Sequence, residues 1–443
     1  MSQEDKLQSD SCIQKVPIHP EIVTLSVVKK IASAYKEDSE VVSFTSRLAT
    51  KPGDNYMSII YSVKILLNNG PTLTENLDIM LKAMPRAVSR QEMINEMAAF
   101  VKEGNMYTQV FPEIIKFQEE LGLLKAELFS CWPTCYATFH DGANDYLALE
   151  DLRGQGFSMA DRTNGLSPHQ IRSVLKNLAY FHAISYSQFG GDSSKIMETY
   201  PWLEEKLFPA QGSRMTDPDS MKTWMTAILI KDAEILRTSG HTEQAELILH
   251  KLCSDDEAGV KLWDDLYTIV SGGMDSQNAV INHGDCWTNN ILFNGETDQV
   301  KLLDFQLARC APRSVDISYF LYSSVPLDDL ESGEDGYLRW YHDHFVQFLG
   351  DKLCLKGEGL IWADFMEEWN QCKIYGVIWG LVLAPIMSAE PVEICSDHEL
   401  KEEDFGAYDI GNLGDEVTSS KEELVKRICY LAVNILPKCP QMC

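Results

Sequence analysis

Apolar and polar positions change period along this chain, and the changes divide it. Ile22, Val23, Leu25, Val27, Val28, Ile31 and Ala32 recur at helical spacing toward Tyr35. A flexible polar lead, assigned to residues 1–24, precedes that helix. Val41–Leu48 and Met57–Leu67 then alternate with a period of two, as half-buried strands do, and Leu77–Met84 forms a third strand. Ser89–Tyr107 is expected to be helical. Pro133–Phe139 and Tyr146–Leu152 pair as strands around Asp141-Gly142, and Arg153-Gly154-Gln155-Gly156 follows as a flexible link. Beyond it the pattern turns helical. Ser167 is placed as a cap, with Pro168 at the first helical position and Gln170 three residues after the cap. Ile171, Val174, Leu175, Leu178, Phe181 and His182 form that helix's apolar face, with His182 expected as a hydrogen-bonded core residue. Further helices are expected at 217–238, 243–253, 257–270, 332–351, 361–387 and 420–436. The longest apolar run, Ile374–Met387, has 14 residues and contains two glycines and a proline, so it fits a buried helix and is too short to span a bilayer.

Between the helical blocks lies Ile281–Arg309, which reads as loop, strand, turn, strand, loop. Ile291-Leu292-Phe293 and Val300–Leu303 are short runs of strand formers separated by six residues that include the turn pair Asn294-Gly295. Asp285 and Asn290 stand on the loop entering this hairpin, and Asp304 stands where its second strand ends. An antiparallel hairpin brings its open ends together, so the three oxygen-bearing side chains can face one point. Such a set suits transfer of a phosphoryl group from ATP: one carboxylate takes the proton of an attacking hydroxyl, while an amide oxygen and a second carboxylate hold Mg²⁺. Asp285 and Asn290 are five residues apart, as in the kinase pattern H-R-D-x-x-x-x-N, and Asp304-Phe305-Gln306 stands where protein kinases carry D-F-G.

His283-Gly284-Asp285-x-Trp287-x-x-Asn290-x-Leu292-Phe293, followed by Val300-x-Leu302-x-Asp304-Phe305-Gln306, resembles the ecdysteroid kinase-like family, whose members carry a choline-kinase-like domain. That resemblance covers residues 25 to 435. It implies an α+β, protein-kinase-like fold of two lobes: a small antiparallel-sheet lobe over 25–152, which binds nucleotide, and a larger, mainly helical lobe over 153–443 with the catalytic loop and the acceptor site. It further implies that Asp285 is the catalytic base, that Asn290 and Asp304 bind Mg²⁺, and that His283 holds the loop through hydrogen bonds with Trp287 packed beneath. Lys82 would contact the α- and β-phosphates of ATP. Glu92, Glu96 and Glu103 could each pair with Lys82; Phe100, Glu103, Met106 and Tyr107 match the family's helix signature, which selects Glu103 and leaves Glu96 as the alternative. Gly53, Asn55, Tyr56 and Ser58 match the turn that covers the phosphates, and Leu149, Glu150 and Asp151 fall on the segment that borders adenine. Asp316, in a segment resembling D-L-x-Y-F-L, would cap a helix or tie down the catalytic loop.

Composition narrows the partners. With a formal net charge of −28 the chain is a poor match for nucleic acid or an anionic membrane surface, and ATP itself requires Mg²⁺ and a lysine to enter it. Twelve cysteines without regular spacing, and no secretory signal, are expected of reduced thiols in a cytoplasmic protein. The acidic, glycine-interrupted segment 389–414 reads as a solvated loop or a substrate lid. The acceptor implied is a small-molecule alcohol such as an ecdysteroid; foreign phenols and alcohols, or choline-like amino alcohols, are the alternatives. A nucleotide-binding scaffold without activity is the non-enzymatic one. No membrane span is expected.

Overall fold

The computed structural model describes residues 22–49, 57–68, 74–160, 165–212, 214, 221–271, 278–297, 299–353, 355, 360–387 and 421–442. Gly53, Asn55 and Tyr56, the lead before residue 22 and the acidic segment 389–414 lie outside the described residues. Helix α1 (Leu25–Tyr35) starts at Thr24, whose side chain accepts the Val27 N–H. It packs on a five-stranded antiparallel sheet of β1 (Glu40–Leu48), β2 (Ile59–Asn68), β3 (Thr74–Ala83), β4 (Cys135–Phe139) and β5 (Tyr146–Glu150), in the order β1-β2-β3-β5-β4. The period of two decides what each face does. Ile59, Tyr61, Val63, Ile79 and Leu81 are buried in one apolar cluster with Val28, Ile31 and Ala32 of α1. The alternate residues Ile60, Met80 and Lys82 face the other way and line a cavity. Lys82 is opposite Ile60 on one neighbour and Leu147 on the other, so its strand is central and its stem is enclosed. β3 begins three residues earlier than its hydrophobic run.

The helix expected over Ser89–Tyr107 is instead two: α2 (Val88–Glu96) and α3 (Ala99–Asn105). Ala98 lies between them at φ 54°, a left-handed conformation that no neighbouring glycine or proline announces, the segment's glycine being Gly104, six residues on. The break turns α3 inward, burying Phe100, Lys102 and Glu103 while Glu92 and Glu96 stay exposed. A π-helical turn (Met106–Val110) leads into α4 (Phe111–Glu120).

After the short strand β6 (Phe157–Met159), the second lobe opens with α5 (Pro168–Phe189), whose Ser167 and Gln170 form the reciprocal capping box. Helices α6 (Ser193–Thr199), α7 (Met221–Thr238), α8 (Thr242–Lys251) and α9 (Glu257–Val270) follow. Strands β7 (Ala279–Asn282), β8 (Ile291–Asn294), β9 (Val300–Leu302) and β10 (Arg309–Pro312) then carry the loop-rich stretch, β7 paired with β10 and β8 with β9 and β6. The chain closes with α10 (Ser314–Ser324), α11 (Leu327–Asp351), α12 (Trp362–Met387) and α13 (Lys421–Tyr430). Of these, α12 is buried along most of its length, and it crosses α10 so closely that a Cβ at Gly376 would stand 2.3 Å from the Ser318 carbonyl. One apolar core joins these helices to α3 and α4. No described helix is long and apolar enough to cross a membrane.

Candidate active site

The hairpin sets the geometry. Ile291 pairs with Leu302, so Asn290 and Asp304 flank the same open end, and the Leu303 N–H donates to the Asn290 carbonyl at 2.8 Å. Both amide hydrogens of Asn290 go to Asp285, one to its backbone oxygen at 2.9 Å and one to Oδ2 at 3.0 Å. The oxygen Oδ1 of Asn290 is therefore the atom left to act as a ligand. Asp304 sits at φ 66° and ψ 66°, a strained backbone for any residue but glycine, of the kind that collects at functional sites. Its Oδ1 is 2.6 Å from Lys82 Nζ, and Glu103 Oε2 lies 2.5 Å from the same nitrogen. The sheet and α3 thus deliver a lysine and a glutamate to a carboxylate more than two hundred residues away in sequence. Glu96, exposed on α2, plays no part in this pairing.

The loop Asn282–Asp285 is pinned from below. Asp316, in the first turn of α10, accepts the N–H of His283 at 2.6 Å and of Gly284 at 2.9 Å. His182 Nε2 lies 3.1 Å from the same carboxylate and its Nδ1 2.8 Å from the Tyr341 hydroxyl, so this histidine belongs to the buried scaffold. Burial opposes the charge on Asp316, yet His182, His283 and the loop N–H groups hold its carboxyl below the usual range. His283 Nε2 donates to the Leu303 carbonyl at 2.9 Å and Nδ1 accepts the Asp285 N–H at 3.2 Å. That fixes the neutral tautomer, and burial pushes its pKa further down. Gly284, at φ 87°, is required: a Cβ there would stand 1.9 Å from the Leu307 carbonyl oxygen.

Charge at the site is tuned by enclosure. Burial raises Asp285 to about 7, the charge of Asp304 adds to the rise, and hydrogen bonds from Tyr319 and Asn290 oppose it. Burial also raises Glu103 to about 7, against the pull of Lys82. Burial disfavours the Lys82 ammonium, but Asp304 and Glu103 more than offset it and keep the lysine charged.

These groups open on a cavity of about 1430 Å³ between the sheet and the helices. That exceeds the roughly 300–1,000 Å³ of a single small-molecule pocket and leaves room for two ligands side by side. At one end Leu149, Glu150 and Asp151 line it together with Met80 and Lys82. The Glu150 carboxylate is engaged by the Thr134 N–H and Gln155, and Asp151 by Arg153, while the N–H groups of Glu150 and Asp151 donate to the Thr134 and Asp78 carbonyls. Ser58 is buried and does not line the cavity. The lining also includes the apolar Leu207, Phe208, Trp224, Trp379, Leu383 and Ile386, with the polar Glu205, Lys206 and Thr223 among them. Trp287 of the loop lines the cavity as well.

Two participants, Arg309 and Glu205, carried no readable signal, and a third, Tyr319, stood without a role inside the segment resembling D-L-x-Y-F-L. The Tyr319 hydroxyl donates to Asp285 Oδ1 at 2.6 Å. Arg309 is fully buried, 2.8 Å from Glu205, and donates to Tyr375 at 3.0 Å and to the Gly284 carbonyl at 3.5 Å. Burial opposes its charge, but Glu205 keeps it protonated. Glu205 in turn accepts the N–H groups of Leu207 and Phe208, each at 2.7 Å, and Lys102 of α3 donates to the Glu204 carbonyl at 2.6 Å. The pairs join residues far apart in sequence, and only their burial marks them.

Oxygen donors such as Asn290 and Asp304 suit Mg²⁺. Among the described residues no three His, Cys, Asp or Glu side chains converge to hold a metal by themselves. A hard cation bound here would complete its shell with phosphate and water, as Mg²⁺ does at nucleotide sites. The enclosed Lys82 ammonium, shared between Glu103 and Asp304, fits an anion-bearing ligand that rearranges these ion pairs.

The sequence profile of the ecdysteroid kinase-like family matches residues 52–353. No curated relative matches the chain. Among solved structures it is similar to an ethanolamine kinase from Plasmodium vivax, at 14% identity over 97% of this chain and 94% of that one, with a TM-score of 0.42. It is also similar to a choline/ethanolamine kinase family protein from Mesorhizobium loti, at 9% identity over 92% and 98%, with a TM-score of 0.32. An aminoglycoside phosphotransferase from Streptomyces rimosus, solved with ADP and streptomycin, aligns at 12% identity over 81% and 98%, with a TM-score of 0.31.

Proposed function

The chain belongs to the ecdysteroid kinase-like family, and from that premise we propose that it is an ATP-dependent kinase that phosphorylates a hydroxyl group of a small, largely apolar alcohol. One observation carries the reading: Lys82, Glu103, Asp304, Asn290 and Asp285, gathered from both lobes, meet at one cavity large enough for two ligands. Asp285 is the base that accepts the hydroxyl proton at a carboxylate oxygen. Lys82, held by Glu103, binds the phosphates and neutralises their charge. Asn290 and Asp304 would hold Mg²⁺, which supplies electrostatic stabilisation of the phosphoryl group in transfer. Leu149, Glu150 and Asp151, which line the cavity beside Lys82, border the adenine. The apolar part of the lining, with Trp224, Trp379 and Leu383, receives the acceptor and excludes water from the reacting groups.

Ecdysteroids are the acceptors the family's description suggests, and foreign phenols or alcohols of similar size fit the same walls. Choline-like amino alcohols are the alternative, since the ring faces of Trp224, Trp287 and Trp379 in the lining suit a quaternary ammonium. Among the described residues Cys131, Cys135, Cys253, Cys286, Cys310, Cys372 and Cys429 are free thiols, which suits a protein working in the cytoplasm. Acceptor-dependent ADP release, measured with Mg²⁺ and ATP over a panel of steroids, phenols and amino alcohols, tests the proposal. Asp285→Asn is expected to abolish transfer while nucleotide still binds, and Asp304→Ala serves as the inactive control in a screen for phosphorylated products. A broad panel that elicits no ADP release from the wild type would favour a nucleotide-binding scaffold instead.

A further inference from the structure

We propose that Tyr319 is a positioning residue for Asp285: its hydroxyl holds the carboxylate in the orientation from which it takes the acceptor's proton, a role that rests on the phosphoryl-transfer reading above. The two oxygens of Asp285 are held by different donors, Oδ1 by Tyr319 at 2.6 Å and Oδ2 by Asn290 at 3.0 Å. One hydrogen bond would leave the carboxylate free to swing about its own axis; two, on opposite oxygens, fix both side-chain torsions. Among the described residues no other side chain donates to this carboxylate. Asn290 is also the residue assigned to the metal, so Tyr319 is the one holder of Asp285 with no second assignment.

Helix α10 does this twice over. Asp316 and Tyr319 are three residues apart, hence on one face of the helix. Asp316 grips the backbone of residues 283 and 284, and Tyr319 grips the side chain of the residue that follows. The tyrosine ring is itself held, with ring centres 5.6 Å from Trp379 and 6.2 Å from Tyr375 on α12, and it is 2% exposed. Burial raises the phenol well above its ordinary pKa, so the hydroxyl remains a donor at any working pH. Tyr319 also lines the cavity beside Asp285, on the side where Trp379 and Leu383 form the apolar wall.

Two substitutions separate hydroxyl from ring. Tyr319→Phe removes the donor and keeps the packing, whereas Tyr319→Ala removes both. With an acceptor that the wild type phosphorylates, Tyr319→Phe is expected to lower kcat about ten- to a hundredfold, the value of a hydrogen bond to a charged group. KM for ATP and MgADP affinity by calorimetry should stay at wild-type values, and Tyr319→Ala should lower kcat little further. Wild-type kcat in Tyr319→Phe, with loss only in Tyr319→Ala, would reduce Tyr319 to packing and overturn this proposal alone. A wild type that phosphorylates no acceptor while binding MgADP would overturn the kinase reading and this one with it.

Discussion

Gly284→Ala adds a single methyl group to the loop that carries Asp285, and its effect can be worked from distances. The new Cβ would stand 1.9 Å from the Leu307 carbonyl oxygen and 2.5 Å from its carbon. Carbon–oxygen contacts settle near 3.3 Å, so roughly 1.4 Å of clearance must be found. The loop cannot retreat freely, because Asp316 holds the N–H groups of residues 283 and 284 and Arg309 reaches the Gly284 carbonyl. The left-handed backbone alone costs alanine about 1–2 kcal/mol. Breaking one N–H bond to the Asp316 carboxylate adds about 1.5–3 kcal/mol. The expected loss of stability is therefore about 2.5–5 kcal/mol, read as a lower denaturation midpoint in urea. A displacement on the order of 1 Å at a reacting group costs about a hundredfold in rate. Acceptor-dependent ADP release by the folded fraction should fall by that much. Transfer within threefold of wild type, together with an unmoved midpoint, would show that the loop does not need its left-handed glycine.

Lys82→Met leaves Glu103 and Asp304 facing each other without a cation, so nucleotide affinity measured by calorimetry should drop at least about tenfold, the equivalent of 1.4 kcal/mol. Asp285, raised by burial to about 7, penalises the ligand-free fold once it ionises. Its folded pKa lies above the unfolded value, so the stability it contributes is complete below about 4 and is lost as pH rises through 7. The melting temperature of Asp285→Asn without Mg²⁺ should accordingly gain on wild type from pH 4 to 7 and hold that gain above; a difference independent of pH would count against the shift. Glu205→Ala strands the buried Arg309 guanidinium and should cost about 3–5 kcal/mol by chemical denaturation, with a raised KM for the acceptor because Leu207 and Phe208 lose their anchor.

What could be read from the sequence was local. Asp285, Asn290 and Asp304 occupy one hairpin, where spacing and turn chemistry determine which ends meet, and Lys82 stood near the end of the strand read over Leu77–Met84, its role implied by the family resemblance. The choice between Glu96 and Glu103 needed more. Both lie in one helical pattern, and the turn at Ala98 that separates them uses a residue with no special liking for a left-handed backbone. Arg309 and Glu205 were illegible for a related reason, and Tyr319 fell in the segment resembling D-L-x-Y-F-L without a role of its own. Each looks like an ordinary member of an apolar or charged run, and its meaning comes from a partner that only tertiary packing supplies. The capping box at Ser167 lies at the other extreme, since all its atoms belong to four consecutive residues.

The division of labour along α7 has a consequence for how such a protein can diversify. Met221, Trp224 and Ala227 recur every three residues and face the cavity, yet no hydrogen bond that orients Asp285, Asn290, Asp304 or Lys82 comes from that helix. Residues there can be exchanged to admit a longer, flatter or more crowded guest without disturbing the proton's destination. Taste and chemistry are thus written on separate stretches of chain, and a lineage can rewrite one while copying the other unchanged.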